Sequence, residues 1–391
     1  MSVTAAQGFE AAGVAAGLKS TGARDVALVV NIGPEKVAAG VFTSNRVVAA
    51  PVTWSRQVLA DSRVDAVVLN SGGANAATGA EGFLDTHRTA EHVAAALQGA
   101  GREVSPGDVA VCSTGLIGVR LPMDRLLPGV DDAVAGLSPA GGPDAALAIM
   151  TTDTVPKEAV AGGEGWTVGG MAKGAGMLAP GLATMLCVIT TDASLSPERA
   201  DAALRAATRA TFDRVDSDGC MSTNDTVLLL ASGASGIVPE DGAFEAALAD
   251  VCARLARGLV ADAEGASHDI AVTVAHATTE EAAEAVARAI TRSNLFKAAI
   301  FGNDPNWGRI ISAAGTVPEE IAPFDPTALD VTVNGIQVCR ASGVGEDRDL
   351  VDLSGREVRI VLDLHAGEAE ATVWTNDLTH DYVHENSAYS S

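Results

Sequence analysis

The chain has 391 residues, 47% of them apolar and 19% charged, a composition that supports a large buried core and excludes a disordered chain. Its 50 acidic and 26 basic residues give a formal net charge of -24, a field that repels phosphate backbones and removes nucleic acid from the expected partners. No apolar run reaches the roughly 20 residues of a membrane span, and the start MSVTAAQGFEAAG lacks the basic and apolar regions of a secretory signal, so a cytoplasmic protein without a membrane partner is expected.

The first 120 residues alternate Val-rich runs with turn signals. DVALVVNI (25–32), KVAAGVFTS (36–44), DAVVLN (65–70) and DVAVCSTG (108–115) predict strands, the last running into a Gly turn. Glu81 to Leu97 has helical spacing, with Leu84, Thr86, His87 and Val93 on a mixed face, and 121–150 turns helical again. The Gly-punctuated stretch 151–177 predicts a hairpin and loops. ATMLCVITT (183–191) predicts a buried strand, and Ser196-Pro197-Glu198 opens a helix to about Phe212 with a capping serine and a first-turn proline. STNDTVLLLAS (222–232) predicts another strand, followed by helices from Asp241 to about Ala263 and from Thr279 to about Ile290. ALDVTVNGIQVC, REVRIVLDLH and EATVWTNDL predict C-terminal β-ribbons. No linker clearly separates domains, and the pattern fits an α+β or layered α/β class.

Cys112, Cys187, Cys220, Cys252 and Cys339 form neither a CxxC pair nor a Cys/His metal pattern, so buried reduced thiols and no metal are expected. None of the seven histidines sits in a catalytic motif. The segment from Lys173 to Leu186 is the odd one: three glycines and a proline precede an apolar strand whose first polar residue is Thr184. Such an approach lets the backbone take dihedrals that ordinary residues resist. By spacing alone it reads as a turn entering a buried strand, with Thr184 satisfied by a backbone carbonyl. Thr114-Gly115 reads either as a strand-ending turn or as a hydroxyl and a backbone N–H aimed at one anion. SGGANAATG after strand 65–70 raises a nucleotide-binding reading, but it lacks the GxGxxG and GxxxxGK[ST] spacings.

KGAGMLAPGLATML followed by ITTDA closely resembles the self-processing segment of the ornithine acetyltransferase (glutamate N-acetyltransferase) family. NSGGANAATG (70–79), STGLIG (113–118), TTDT (151–154), STNDTV (222–227), AEGAS (263–267), FGNDPNWGR (301–309) and NSAYSS (386–391) match the same family in its own order, covering the chain from about residue 8 to its last. The resemblance implies an α+β fold, a layered αββα sandwich similar to N-terminal-nucleophile hydrolases, with a smaller C-terminal α/β portion. It implies cleavage between Ala183 and Thr184, an α chain of 1–183 and a β chain of 184–391 forming one intertwined catalytic unit, and a heterotetramer of two α and two β chains.

The implied chemistry is physically coherent. A threonine hydroxyl attacks the preceding carbonyl, and water hydrolyses the resulting ester. The freed Thr184 then carries a nucleophile and, at an α-amine with a reference pKa of about 7.7–8.0, its own base. That accounts for a missing Ser/His/Asp signature. The resemblance places the oxyanion donors at Thr114 and Gly115, and implies N2-acetyl-L-ornithine as donor and L-glutamate as acceptor. Lys173 then pairs with the α-carboxylate, Glu264 with the δ-ammonium, and Thr151 or Thr152 with the acetyl-amino group. Asn386 and Ser391 match binding positions, so the tail is expected to fold into the site. Departures from the family pattern are Gly73 for Asn, His268 for Lys after AEGAS, Gly219-Cys220-Met221-Ser222 for Asp-Thr-Ser-Thr, and NSAYSS for NAEYTT. The His268 replacement alters the charge expected beside Glu264. No cofactor is expected, and the motifs leave open acetyl-CoA as a second donor. A self-processing aminopeptidase or amidohydrolase of the same architecture is the alternative, since a sequence does not show how water is kept from an acetyl-enzyme.

Overall fold

Strands buried residue after residue need cover on both faces, and the first of two structural units is built around such strands. The structure, a computed structural model, describes residues 2–178 and 185–388. The first unit comprises residues up to Asp213 together with Cys220–Asp262. In chain order it holds β1 (Phe9–Val14), β2 (Val26–Asn31), β3 (Val37–Phe42), α1 (Ala50–Val58), β4 (Ala66–Asn70), α2 (Gly79–Gly99), β5 (Val109–Ser113), α3 (Met123–Ala135), α4 (Gly142–Ala148), β6 (Lys157–Gly163), β7 (Trp166–Lys173), β8 (Leu186–Thr191), α5 (Pro197–Ala210), β9 (Thr226–Ala231) and α6 (Ala243–Ala261).

β1-β2-β4-β5 form one sheet and β3-β9-β8-β7-β6 a second. β2, β4, β5, β8 and β9 are buried at every position. One core joins Leu28, Leu69 and Val111 of the first sheet to Met171, Val188 and Leu228 of the second. α2 and α3 bring Val93, Leu97, Leu126 and Val130 to that core, while α6 packs on β6 and β7 in the other sheet. Helices outside, two sheets within: the αββα layering expected from the resemblance is present. Each fully buried Leu or Val in it contributes about 1.5–3 kcal/mol.

The boundaries correct the sequence reading in a few places. Lys173, read as a loop residue, is the last residue of β7. Leu84 is 45% exposed, because the buried face of α2 runs through Thr86, Ala90, Val93 and Leu97, and position 84 lies about 200° around the helix from Thr86. β9 starts only at Thr226, leaving Ser222–Asp225 as a buried loop. Ser196 caps α5 by accepting from Arg199 N–H, as its sequence signal predicts. β1 and α1 were not anticipated.

The second unit comprises Arg214–Gly219 and the chain from Ala263 on. It holds β10 (Asp269–Ala277), α7 (Glu280–Thr291), α8 (Asn294–Phe301), α9 (Trp307–Ala314), β11 (Asp330–Val333), β12 (Ile336–Arg340), β13 (Gly343–Val344), β14 (Glu357–Asp363), β15 (Ala369–Asn376) and α10 (His380–Ala388). Its sheet, ordered β13-β12-β11-β14-β10-β15, pairs β10 with β14 in parallel. Val358, Ile360 and Leu362 point into a core with Val286 and Ile290 of α7, whereas Arg359 and Val361 point out. That alternation belongs to a sheet covered on one face. It is the smaller C-terminal α/β portion, with β10 added to the expected ribbons.

Chain segments on either side of residues 179–184 share one sheet. β7 pairs antiparallel with β8 from Val168↔Thr191 to Lys173↔Leu186, and β8 runs parallel to β9, which in turn pairs with β3. Among the described residues no helix is long and apolar enough to cross a membrane.

Candidate active site

Parallel strands β4 and β5 end side by side at Asn70 and Ser113, and the loops leaving them build the first part of the site. Thr114 follows β5 directly. Its N–H donates to Asn70 O and its carbonyl accepts from Gly73 N, each at 3.0 Å, so its backbone is fixed from both sides. Its side chain is buried, and Lys173 Nζ donates to Thr114 Oγ1 at 3.1 Å. A hydroxyl that accepts from an ammonium keeps its own proton for another acceptor, and the cation makes it a stronger donor. Gly115 has φ +129, and a Cβ there would stand 2.9 Å from Gly73 N, so both strain and contact demand glycine. The departure at Gly73 lies at this same contact; a Cβ at 73 would press on Leu121 Cδ2 at 3.2 Å.

Asp153 ties three further segments together. It accepts from Thr151 N at 3.0 Å, from Gly174 N at 2.6 Å and from Lys157 Nζ at 2.6 Å. Lys157 also donates to Asp262 Oδ2 at 2.6 Å. Burial alone would raise the Asp153 carboxyl, but the Lys173 and Lys157 ammoniums outweigh it and bring its pKa down to about 2. Thr151 and Thr152 are half-buried, and Thr151 is linked through Asp153 to the residue after Lys173. Lys19, on a loop whose Leu18 and Lys19 amides donate to Asp25, adds a second cation near Lys173; burial lowers its pKa, Asp25 opposes that and Lys173 adds to it.

The loop Ser222–Asp225 closes the arrangement. Asn224 Nδ2 donates to Ala74 O at 2.6 Å and to Ser113 O at 2.9 Å, joining both strand-end loops. Asp225, 0% exposed, accepts at Oδ1 from Met185 N at 3.0 Å. Burial pushes its carboxyl well above the usual range, against the opposing pulls of the Met185 amide and the Lys173 ammonium. Asp153, Asn224 and Asp225 stand inside TTDT and STNDTV but were not singled out as site residues. The available signal was an acid embedded among hydroxyl and apolar residues at a strand end.

In the second unit, half-buried Glu264 accepts from Asn386 Nδ2 at 3.0 Å. The AEGAS turn carries α10: a Cβ on Gly265, at φ +61, would come within 2.2 Å of Tyr382 N, and Thr379 Oγ1 donates to Gly265 O at 2.6 Å. Glu264 lines a cavity of about 120 Å³ with Arg292, Lys297, Asn376 and Tyr382. His268, the departure that follows AEGAS, sets Nδ1 2.7 Å from Asp377 Oδ2 and Nε2 3.1 Å from Leu353 O. Four cysteines are buried as expected, with the Cys112 thiol pushed up to about 12 by burial, but Cys220, in the irregular segment before β9, is exposed.

The predicted residues thus fall into two groups. Thr114, Gly115, Thr151, Thr152 and Lys173 belong to the first unit, where Lys173 touches Thr114. Glu264 and Asn386 belong to the second, in contact with each other. Ala183, Thr184 and Ser391 lie outside the described residues.

Acyl-transfer chemistry needs hydrogen-bond donors for an oxyanion, and a buried hydroxyl that accepts from a lysine, on a glycine turn at paired strand ends, has a proton of that kind to give. The sequence profile of the ArgJ family matches residues 10–391, and the chain belongs to that family. It is 66% identical over 391 residues to the arginine biosynthesis bifunctional protein ArgJ of Streptomyces coelicolor, with 100% of both chains covered. The protein of the same name from Thermobifida fusca is 60% identical over 391 residues, again with 100% of both covered. Among solved structures, ornithine acetyltransferase complexed with ornithine from Mycobacterium tuberculosis is 60% identical, covering 47% of this chain and 96% of that one with a TM-score of 0.46. The arginine biosynthesis bifunctional protein ArgJ from Bacillus halodurans is 35% identical, covering 51% and 97% with a TM-score of 0.48.

Proposed function

We propose that this chain is an acetyltransferase of arginine biosynthesis that moves the acetyl group of N2-acetyl-L-ornithine to L-glutamate through an ester on Thr184. The observation that carries the reading is the buried Lys173–Thr114 contact at 3.1 Å beside Gly115, in a chain matched end to end by relatives named for that pathway.

The Thr184 hydroxyl first attacks the carbonyl of Ala183, the acyl group moves from nitrogen to oxygen, and water hydrolyses the ester. This leaves the α chain of 1–183 and the β chain of 184–391. The new α-amine accepts the hydroxyl proton as oxygen attacks the acetyl carbonyl of the donor. Thr114 O–H and Gly115 N–H receive the oxyanion, each donor worth about 10²–10³ in kcat. Collapse expels the ornithine amine, which takes up the proton held by the Thr184 ammonium. The glutamate amine then attacks the ester by the reverse path, giving N-acetyl-L-glutamate.

In this reading Lys173 pairs with the α-carboxylate of either amino acid, Glu264 with the δ-ammonium of ornithine, and Thr151 or Thr152 with the acetyl-amino group. Asn386, which donates to Glu264, and Ser391 are the remaining substrate-binding residues in this reading. The word bifunctional in the relatives' names supports a second activity, acetyl transfer from acetyl-CoA to glutamate, with acetyl-CoA as co-substrate and no resident cofactor. The assembly proposed is a heterotetramer of two α and two β chains.

Incubation with acetyl-labelled N2-acetylornithine tests the chemistry. Labelled N-acetylglutamate is expected in step with ornithine release and in dependence on glutamate. Label released as acetate, at a rate indifferent to glutamate, would identify the chain as a hydrolase.

A further inference from the structure

The ends of β10 and β14 bring together three groups that the acetyl-transfer reading does not use. β10 runs parallel to β14 with Ala275 opposite Asp363, and its register against β15 shifts between Val274 and Ala277. His276 stands in that irregularity at φ 51, and His365 stands two residues past Asp363 at φ 50. Left-handed backbone is uncommon outside glycine, though His, Asn and Asp tolerate it best. Here it is fixed from both sides. His276 O accepts from Ala366 N at 2.7 Å and from Gly367 N at 2.8 Å, while His365 N donates to Asp363 Oδ1 at 2.9 Å.

The side chains converge on one carboxylate. His276 Nδ1 is 2.7 Å from Asp363 Oδ2, and His365 Nδ1 is 3.4 Å from Asp363 Oδ1. The two imidazoles lie nearly parallel, 14° apart with centroids separated by 6.3 Å, and flank the carboxylate. One ligand atom from each residue can be chosen so that all three lie within 4.8 Å of one another, and no other His/Cys/Asp/Glu group among the described residues does this. The far nitrogen of His365, Nε2, is 3.1 Å from Asp330 Oδ2, and Asp330 is itself held by the Ala341 amide at 2.8 Å. An imidazole whose second nitrogen meets a carboxylate has the outer contact that metal-bound histidines nearly always make.

We propose that His276, Asp363 and His365 bind one divalent transition-metal ion, with Asp330 orienting the His365 ring. Two imidazoles and one carboxylate suit Zn²⁺ or a neighbouring first-row ion, and disfavour Ca²⁺ and Mg²⁺, which take oxygen ligands. A solvent molecule completes the coordination, since the His276 and His365 side chains are 52% and 45% exposed. The hydrogen bond to Asp363 raises the His276 pKa above its ordinary value. A plain ion pair accounts for that contact. It does not account for two histidines held in left-handed backbone around the same carboxylate, one of them backed by a second acid. The bound ion would clamp the ends of β10 and β14, so its role is to stabilise the second unit and not to take part in acetyl transfer.

The test uses the full, tag-free chain, stripped with chelator and titrated with Co²⁺ by visible absorption and with Zn²⁺ against a chromophoric chelator. One ion per chain is expected, undisturbed by excess Ca²⁺, with a rise in Tm on Zn²⁺ addition. His276→Asn and His365→Asn keep a residue suited to left-handed backbone and should abolish binding. Asp330→Asn should weaken it by about 10–100-fold. Acetyl transfer should be unchanged in all three. Absence of saturable binding in the wild type, or equal stoichiometry and affinity in the two histidine variants, overturns the proposal. Imidazole NMR of the wild type needs no variant: Zn²⁺ must shift the His276 and His365 resonances together, and their indifference to Zn²⁺ overturns it as well.

Discussion

At the scale of single residues, the Thr114 hydroxyl and the Asp153 carboxylate do different work. Thr114 accepts from Lys173 and has its own proton to give; in the proposed mechanism that proton is given to the oxyanion, so its contribution would fall in the transition state and not in substrate binding. Thr114→Ala is expected to lower kcat by about 10²–10³ with KM for N2-acetylornithine nearly unchanged, and Thr114→Ser to restore most of the rate; steady-state kinetics on both variants decide it. Asp153 instead neutralises buried cations, and Asp153→Asn should cost about 3 kcal/mol at pH 7 in chemical denaturation, a buried pair having lost one partner. The pH dependence follows from the sign of its shift. A carboxyl whose folded pKa is about 2, below its unfolded value, contributes stability that is complete above the unfolded pKa and is lost as pH falls through about 2. The difference between wild type and Asp153→Asn should therefore shrink below about pH 4.

At the scale of elements, the loop before β9 governs the strand that follows the proposed cut. Met185 N–H donates to Asp225 and Met185 O accepts from Thr226 N, so the entry to β8 is held on both backbone groups. Asp225→Ala leaves that amide without its acceptor and is expected to slow self-cleavage about tenfold or more, a cost of roughly 1–3 kcal/mol in positioning. Asp225→Asn keeps a carbonyl oxygen there and should cleave faster than the alanine variant. A time course of fragment appearance after synthesis separates the two. Much of this level was legible in the sequence. The β-branched runs of β2, β4, β5 and β8 and the Ser196 cap gave their elements away because local propensity and burial agree there. β1 did not, since FEAAGV offers little β-branched content and is a strand only through its pairing with β2. Lys173 was misplaced in a loop because the glycines around it mask a strand whose small residues let α6 come close at Gly170.

At the scale of the molecule, the expected αββα layering and the smaller C-terminal portion followed from the resemblance, whereas the boundary of the second unit did not. The second unit takes in Arg214–Gly219 from the middle of the chain, and no composition change marks that excursion. The pairing of Lys173 with Thr114 was equally hidden: the two are far apart in sequence and meet through two different sheets. The order of β3, β9, β8 and β7 bears directly on self-cleavage, because β9 and β8 from 184–391 are paired on either side with strands from 1–183 in one sheet. A cut between them would break one peptide bond and leave the sheet hydrogen bonds and the shared core in place. The fragments should co-elute under native conditions and part only in denaturant.

Intact mass of the purified protein under denaturing conditions tests the central claim most directly. The wild type should give two chains whose masses meet at the bond between Ala183 and Thr184, and Thr184→Ala should give one uncut, inactive chain. A wild type that stays a single full-length chain and still transfers acetyl groups would contradict the account.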